Sequence, residues 1–189
     1  MSKRHLAFIC SVAAVAVLAA ACSDLSNNQP GIARLHSPVD ASTLQVAKEA
    51  VARGDRVVYV GDWSRPDGVD FRSGGDAHVS REIAELFKAN GVRVRVVGLA
   101  GSALAEIALN SAGCSVARNG QVVPHLPFVP GGTRAQDRVA ELEGSRWWLE
   151  QGGADPKARA DLVDRLERSP DKSWRMRTED LTASGCAIE

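Results

Sequence analysis

Hydrophobic positions fall into blocks of differing period along this chain, and each block predicts an element. Residues 6–21 form an uncharged run dominated by Ala, Val and Leu, preceded by Lys3 and Arg4. The run is shorter than the roughly 20 apolar residues that span a bilayer, and its basic flank is that of an export signal. Residues 32–35 are a short apolar segment, followed by a turn at Ser37-Pro38. Helical spacing then appears over residues 42–53, with Leu44, Ala47, Ala50 and Val51 on one face and Gly54 as the stop. The β-branched run Val57–Val60 predicts a buried strand, and residues 61–72 an irregular loop closed by Ser73-Gly74-Gly75-Asp76. A second amphipathic helix carries Val79, Ile83, Leu86 and Phe87 and ends at Gly91.

Val92, Val94, Val96 and Val97 predict a strand with arginines at the alternate positions 93 and 95. Residues 98–101 read as a tight turn leading into a helix over about residues 102–111. That helix carries Ala103, Leu104, Ile107, Ala108 and Leu109 and should be buried nearly all round. Val116-Ala117 and Val122-Val123 read as short strands around an Asn119-Gly120 turn. The last third reads as helical. Thr133 caps a helix to about Trp148, Asp155-Pro156 opens one carrying Leu162, Val163 and Leu166, and Thr178 caps a short helix stopped by Gly185. Strand and helix in alternation predict one α/β domain with largely parallel strands.

Removal of the leader changes the composition. The run ends in Leu18-Ala19-Ala20-Ala21-Cys22, which resembles the bacterial lipobox. The expectation is a signal peptide over residues 1–21, a lipidated Cys22, a breaker-rich tether over 22–31 and a domain over 32–189. An ordinary secretory signal cut at an Ala-x-Ala site is the alternative. Ser23 after the cysteine resembles the pattern of outer-membrane sorting, with the protein facing the periplasm. The mature chain has 189 − 21 = 168 residues, enough for one core. Without Lys3 and Arg4, 21 basic residues face 23 acidic ones, a net charge of −2. No basic stripe stands out, which argues against nucleic acid as a partner. Cys10 leaves with the signal, so Cys114 and Cys186 remain, either bridged in an oxidising compartment or buried as free thiols. The four histidines are scattered, with no zinc-type spacing; no metal or cofactor is implied.

Three places can carry chemistry. Gly74-Gly75 lies between a loop and a helix, Ser102 opens a buried helix just after a strand and turn, and His125 lies between Pro124 and Pro127. A hydroxyl becomes nucleophilic when a base removes its proton, and His125 is the natural base. The N–H groups of Gly75 and Ala103 are candidate donors to an oxyanion. The structural alternatives are a serine N-cap, a structural histidine and a glycine turn. A dinucleotide fingerprint is excluded by Ala100 and Ala103, and the G-x-S-x-G elbow by Ala100 and Leu104.

In order, these features resemble the Clp protease proteolytic-subunit (ClpP-like) family of serine proteases and its periplasmic relatives in the crotonase-like superfamily. The matching residues are Ser73-Gly74-Gly75, then residues 98–103 (Gly-Leu-Ala-Gly-Ser-Ala), Ala112-Gly113, Arg118 and His125, with Gly185 in the tail. The resemblance covers residues 32–189. It implies a single ClpP/crotonase-like domain of repeated ββα units with a mostly parallel sheet and a helical C-terminal part. It implies Ser102 as nucleophile, His125 as base, and Gly74, Gly75 and Ala103 around the oxyanion. Aligning the tails through Gly185 puts Ser169 at the acid's position, with Asp171 two residues on as the candidate acid. The implied function is a membrane-anchored serine peptidase acting on a peptide or protein substrate. The alternative is a catalytically silent lipoprotein that binds a peptide or protein partner in the same groove. Homo-oligomerisation is left open: Trp147-Trp148 serve either as an oligomer contact or as one core and one surface-covering side chain.

Overall fold

A computed structural model describes residues 32–62, 74–151 and 155–189. The leader, Cys22, the tether and most of the 61–72 loop, with Ser73, lie outside these described residues. Ala33–Glu189 forms one compact unit.

The first half alternates as its apolar pattern dictates: β1 (Arg34–Leu35), α1 (Ala41–Arg53), β2 (Val57–Val60), α2 (Ala77–Ala89) and β3 (Arg93–Val96). Both helices begin at an aspartate. Asp40 accepts the N–H groups of Ser42 and Thr43, and Asp76 those of His78 and Val79. Gly54, in the left-handed region at φ 80°, ends α1.

Two ββα units follow. In the first, β3 is joined to β4 (Leu99–Gly101) and α3 (Ala103–Asn110); in the second, β5 (Cys114–Val116) leads to β6 (Gln121–Val123) and α4 (Arg134–Glu150). Each unit gives its first strand to one sheet and its second strand to another. The larger sheet runs β1-β2-β3-β5-β7 and the smaller pairs β4 with β6, every ladder being parallel. The chain closes with α5 (Pro156–Arg168), α6 (Thr178–Ala183) and β7 (Cys186–Ile188).

Three expectations are corrected. Residues 99–101 are a strand rather than part of a turn; only Gly98 turns, at φ 79°, and the Leu99 and Ala100 backbones pair with Gln121 and Val122. Asn119-Gly120 does not close a hairpin. The Gln121 N–H donates to Gly98 O, so the turn carries the chain from one sheet to the other. Thr178 is the first residue of α6 rather than its cap, because Asp180 reaches back to the Arg177 N–H, 3.0 Å away. Strand β7 was not foreseen.

Alternate residues of the large sheet (Val58, Val60, Val94, Val96) are buried beneath α1, α2 and α3, with Ile83, Phe87, Leu104 and Ile107 as the largest helical contributions. A second cluster joins Leu126, Trp148, Leu162, Val163 and Leu166 of the C-terminal helices. Trp147 packs beside it, edge-on to Trp148 and under the Arg81 guanidinium. Both tryptophans are therefore used within the chain. Cys114 and Cys186 are opposite each other in the β5–β7 register, with Cα atoms 4.5 Å apart, and form a disulfide.

Candidate active site

The site forms where the small sheet ends. Gly101 is in register with Val123, so Ser102 leaves β4 beside the end of β6, and His125 follows two residues later on the neighbouring strand. Parallel strands lie about 4.8 Å apart, so this register alone brings the two residues to one edge. The Ser102 N–H donates to Val123 O at 3.1 Å and locks the junction.

Ser102 adopts φ 54°, ψ −126°, a conformation that costs a non-glycine residue on the order of 1–3 kcal/mol. It holds the N-cap position of α3, its carbonyl accepting the Ala105 and Glu106 N–H groups, but its side chain makes no capping hydrogen bond. The flanking glycines of the G-x-S-x-G nucleophile elbow are absent here, so the left-handed φ is held without them. The residue is 8% exposed.

His125 is held on both flanks. Its backbone forms an antiparallel bridge with Ser173, with Leu126 N–H donating to Lys172 O and Trp174 N–H to Pro124 O. The ring Nδ1 lies 2.7 Å from Leu126 O. A carbonyl oxygen only accepts, so the proton of a neutral ring belongs on Nδ1, and Nε2 carries the lone pair a base needs. Asp171 arrives on the same segment. Its carboxylate accepts the hydroxyls of Ser169 (2.5 Å) and Ser173 (2.7 Å), which hold it below the ordinary aspartate range.

The diglycine is fixed against Val39. Val39 N–H donates to Gly74 O, and Asp76 N–H donates to Val39 O at 2.8 Å. That parallel bridge leaves the Gly75 N–H and carbonyl pointing away from Val39. Gly75 has φ 108°, and a Cβ there would fall 2.3 Å from Val39 O, so only glycine fits. The Ala103 N–H belongs to the first turn of α3, where no intrahelical acceptor exists.

A cavity of about 590 Å³ gathers these pieces: Gly74, Gly75, Ser102, Ala103 and His125 all line it. Asp171 is not among its lining residues. Two lining residues went unnoticed in the sequence. Glu106, one turn beyond Ser102 on α3, is 3% exposed, and its burial pushes its carboxyl up to about 7 despite a hydrogen bond from Ser80 and the nearby Arg81 charge. Arg81 lies over the Trp147 ring, 4.9 Å from its centroid. The signal for Glu106 was a single carboxylate inside a helix read as buried all round. Among the described residues no His/Cys/Asp/Glu group is arranged to hold a metal ion.

Parallel ββα units that feed two sheets, with a helical C-terminal part, have the architecture of a ClpP-like domain. The structure is similar to that of a mutant ClpP1 from Listeria monocytogenes, with a TM-score of 0.52 and 15% identity over 84% of this chain and 89% of that one. The chain thus has a ClpP-like fold. No protein-family model and no curated protein matches it.

Proposed function

We propose that this chain is an exported, lipid-anchored serine peptidase that hydrolyses peptide bonds through an acyl-enzyme on Ser102. The observation that carries the reading is the backbone of Ser102, strained at φ 54° with no capping hydrogen bond from its side chain, in the cavity that His125 also lines. In this mechanism His125 Nε2 takes the Ser102 hydroxyl proton as Oγ bonds to the substrate carbonyl carbon. The oxyanion is received by the Gly75 and Ala103 N–H groups. The imidazolium then protonates the leaving amine as the C–N bond breaks, and water repeats the cycle to release the acyl group. Leu126 O, which already accepts from Nδ1, orients the ring; Asp171 supports it through the paired Ser173 strand. Acylation of Cys22 would hold the domain on a bacterial membrane facing the periplasm, with Ser23 favouring the outer membrane.

The competing reading is a silent peptide-binding lipoprotein. It is favoured by the engagement of the Asp171 carboxylate with two serine hydroxyls. Cleavage of a labelled unfolded protein such as casein separates the two. The peptidase reading expects turnover that falls at least about a thousandfold in Ser102→Ala and in His125→Ala. Wild-type turnover no greater than that of Ser102→Ala would favour the binding protein.

A further inference from the structure

We infer that Glu106 is the specificity determinant of this cavity and selects substrates with a basic side chain, lysine or arginine, beside the scissile bond. The inference rests on the cavity being the substrate site proposed above. Glu106 lies in the first turn of α3, four residues after Ser102, and both residues line the same cavity. Glu106 is otherwise buried. One carboxylate oxygen accepts the hydroxyl of Ser80, which is itself fully buried; no described residue donates to the other. A carboxylate left with an open acceptor position in the wall of a cavity is what an ammonium or guanidinium group requires.

The surrounding charges favour a cation over an anion. Asp76, Glu106 and Glu143 line the cavity, against the guanidinium of Arg81 and the imidazoles of His78 and His125. Arg81 is drawn onto the Trp147 face rather than into an ion pair with Glu106. An anion entering would meet three carboxylates. A long basic side chain can lay its methylenes along Pro127, Phe128 and Val129, which form part of the apolar wall, while its charge reaches Glu106. Burial pushes Glu106 up to about 7, so the cation is bound with loss of a proton and its preference should strengthen as pH rises through neutrality.

The test measures binding rather than turnover. The full chain carrying Ser102→Ala is titrated with N-acetyl-Ala-Ala-X-amide peptides in which X is lysine, norleucine or glutamate. At pH 8 lysine should bind at least about tenfold more tightly than norleucine, a ratio that cancels any common effect of His125. The ratio should collapse towards one at pH 5.5 and, at pH 8, on adding Glu106→Gln. Ser80→Ala, which removes a bond that holds the Glu106 proton affinity down, should move the onset of the preference to higher pH. Equal affinities at pH 8, tighter binding of norleucine or glutamate, or a lysine preference untouched by Glu106→Gln would overturn the inference. Such results beside an active wild-type peptidase would leave the catalytic proposal standing. Lysine selectivity beside an inactive wild type would remove catalysis and keep the recognition.

Discussion

Ser102 and His125 were both legible in the sequence because each lies at a junction the hydrophobic pattern marks: strand to helix, and strand to proline-flanked loop. What the sequence could not give was the conformation between them. G-x-S-x-G fails here, yet Ser102 is held at φ 54° all the same, because Ala100 and Leu104 are fully buried and fix the chain on both sides of it. Nor could sequence spacing reveal that Leu126 O, next to the histidine itself, accepts from Nδ1. That contact argues a specific outcome: Asp171→Asn should lower turnover by less than about tenfold, far below the roughly ten-thousandfold loss when an aspartate alone fixes the tautomer. Steady-state kcat/KM of the variant checks this. Glu106 carries a second prediction, through its buried proton. Its folded value of about 7 stands above the 4.5 of an exposed glutamate, so the stability it confers is present below pH 4.5 and is lost as pH rises through 7. Glu106→Gln should therefore flatten the decline of Tm between pH 4.5 and 7. Above pH 7 it should stabilise the chain by up to about 3 kcal/mol.

Helices were easier to foresee than short strands. Over α1 and α2 the 3.6-residue period and the glycine stops agree with the observed bounds to within a residue or two, and α5 opens at the expected Asp155-Pro156 pair. Strands β4, β6 and β7 are three residues each, too short for a period of two to declare itself. Their pairing is set by tertiary contacts. Gly120 illustrates this: a Cβ would meet Val116 and Val96 O at 2.7 and 2.9 Å, so the Asn119-Gly120 turn is pressed against the large sheet as it crosses to the small one. Strand β7 is recognised by its partner rather than by its own sequence, since Cys186 faces Cys114. The disulfide closes 72 residues of chain, a constraint on the unfolded state of about 4 kcal/mol. Cys186→Ser should lower stability to denaturant by up to that amount and increase proteolysis at β7. Unchanged chevron midpoints with and without reductant would contradict it.

Across the whole molecule, residues Ala33–Glu189 form one unit of ClpP-like fold, and the leader and tether ahead of it are part of the proposal. The ββα repeats, parallel ladders and helical tail were all expected, and the fold match to ClpP1 agrees with them. The proposed anchor rests on the lipobox-like sequence Leu18-Ala19-Ala20-Ala21-Cys22. Cys22→Ala should release the protein from the membrane pellet and remove the mass of the lipid from the mature chain. An ordinary secretory signal would instead leave both the fractionation and the mass free of lipid in the wild type. The central claim, an activated serine at the edge of the small sheet, is tested most directly by labelling the folded chain with a fluorophosphonate probe and mapping the adduct by mass spectrometry. The account predicts one adduct, on Ser102, absent from Ser102→Ala and from His125→Ala; a folded wild-type chain that takes no label, or takes it elsewhere, would contradict it.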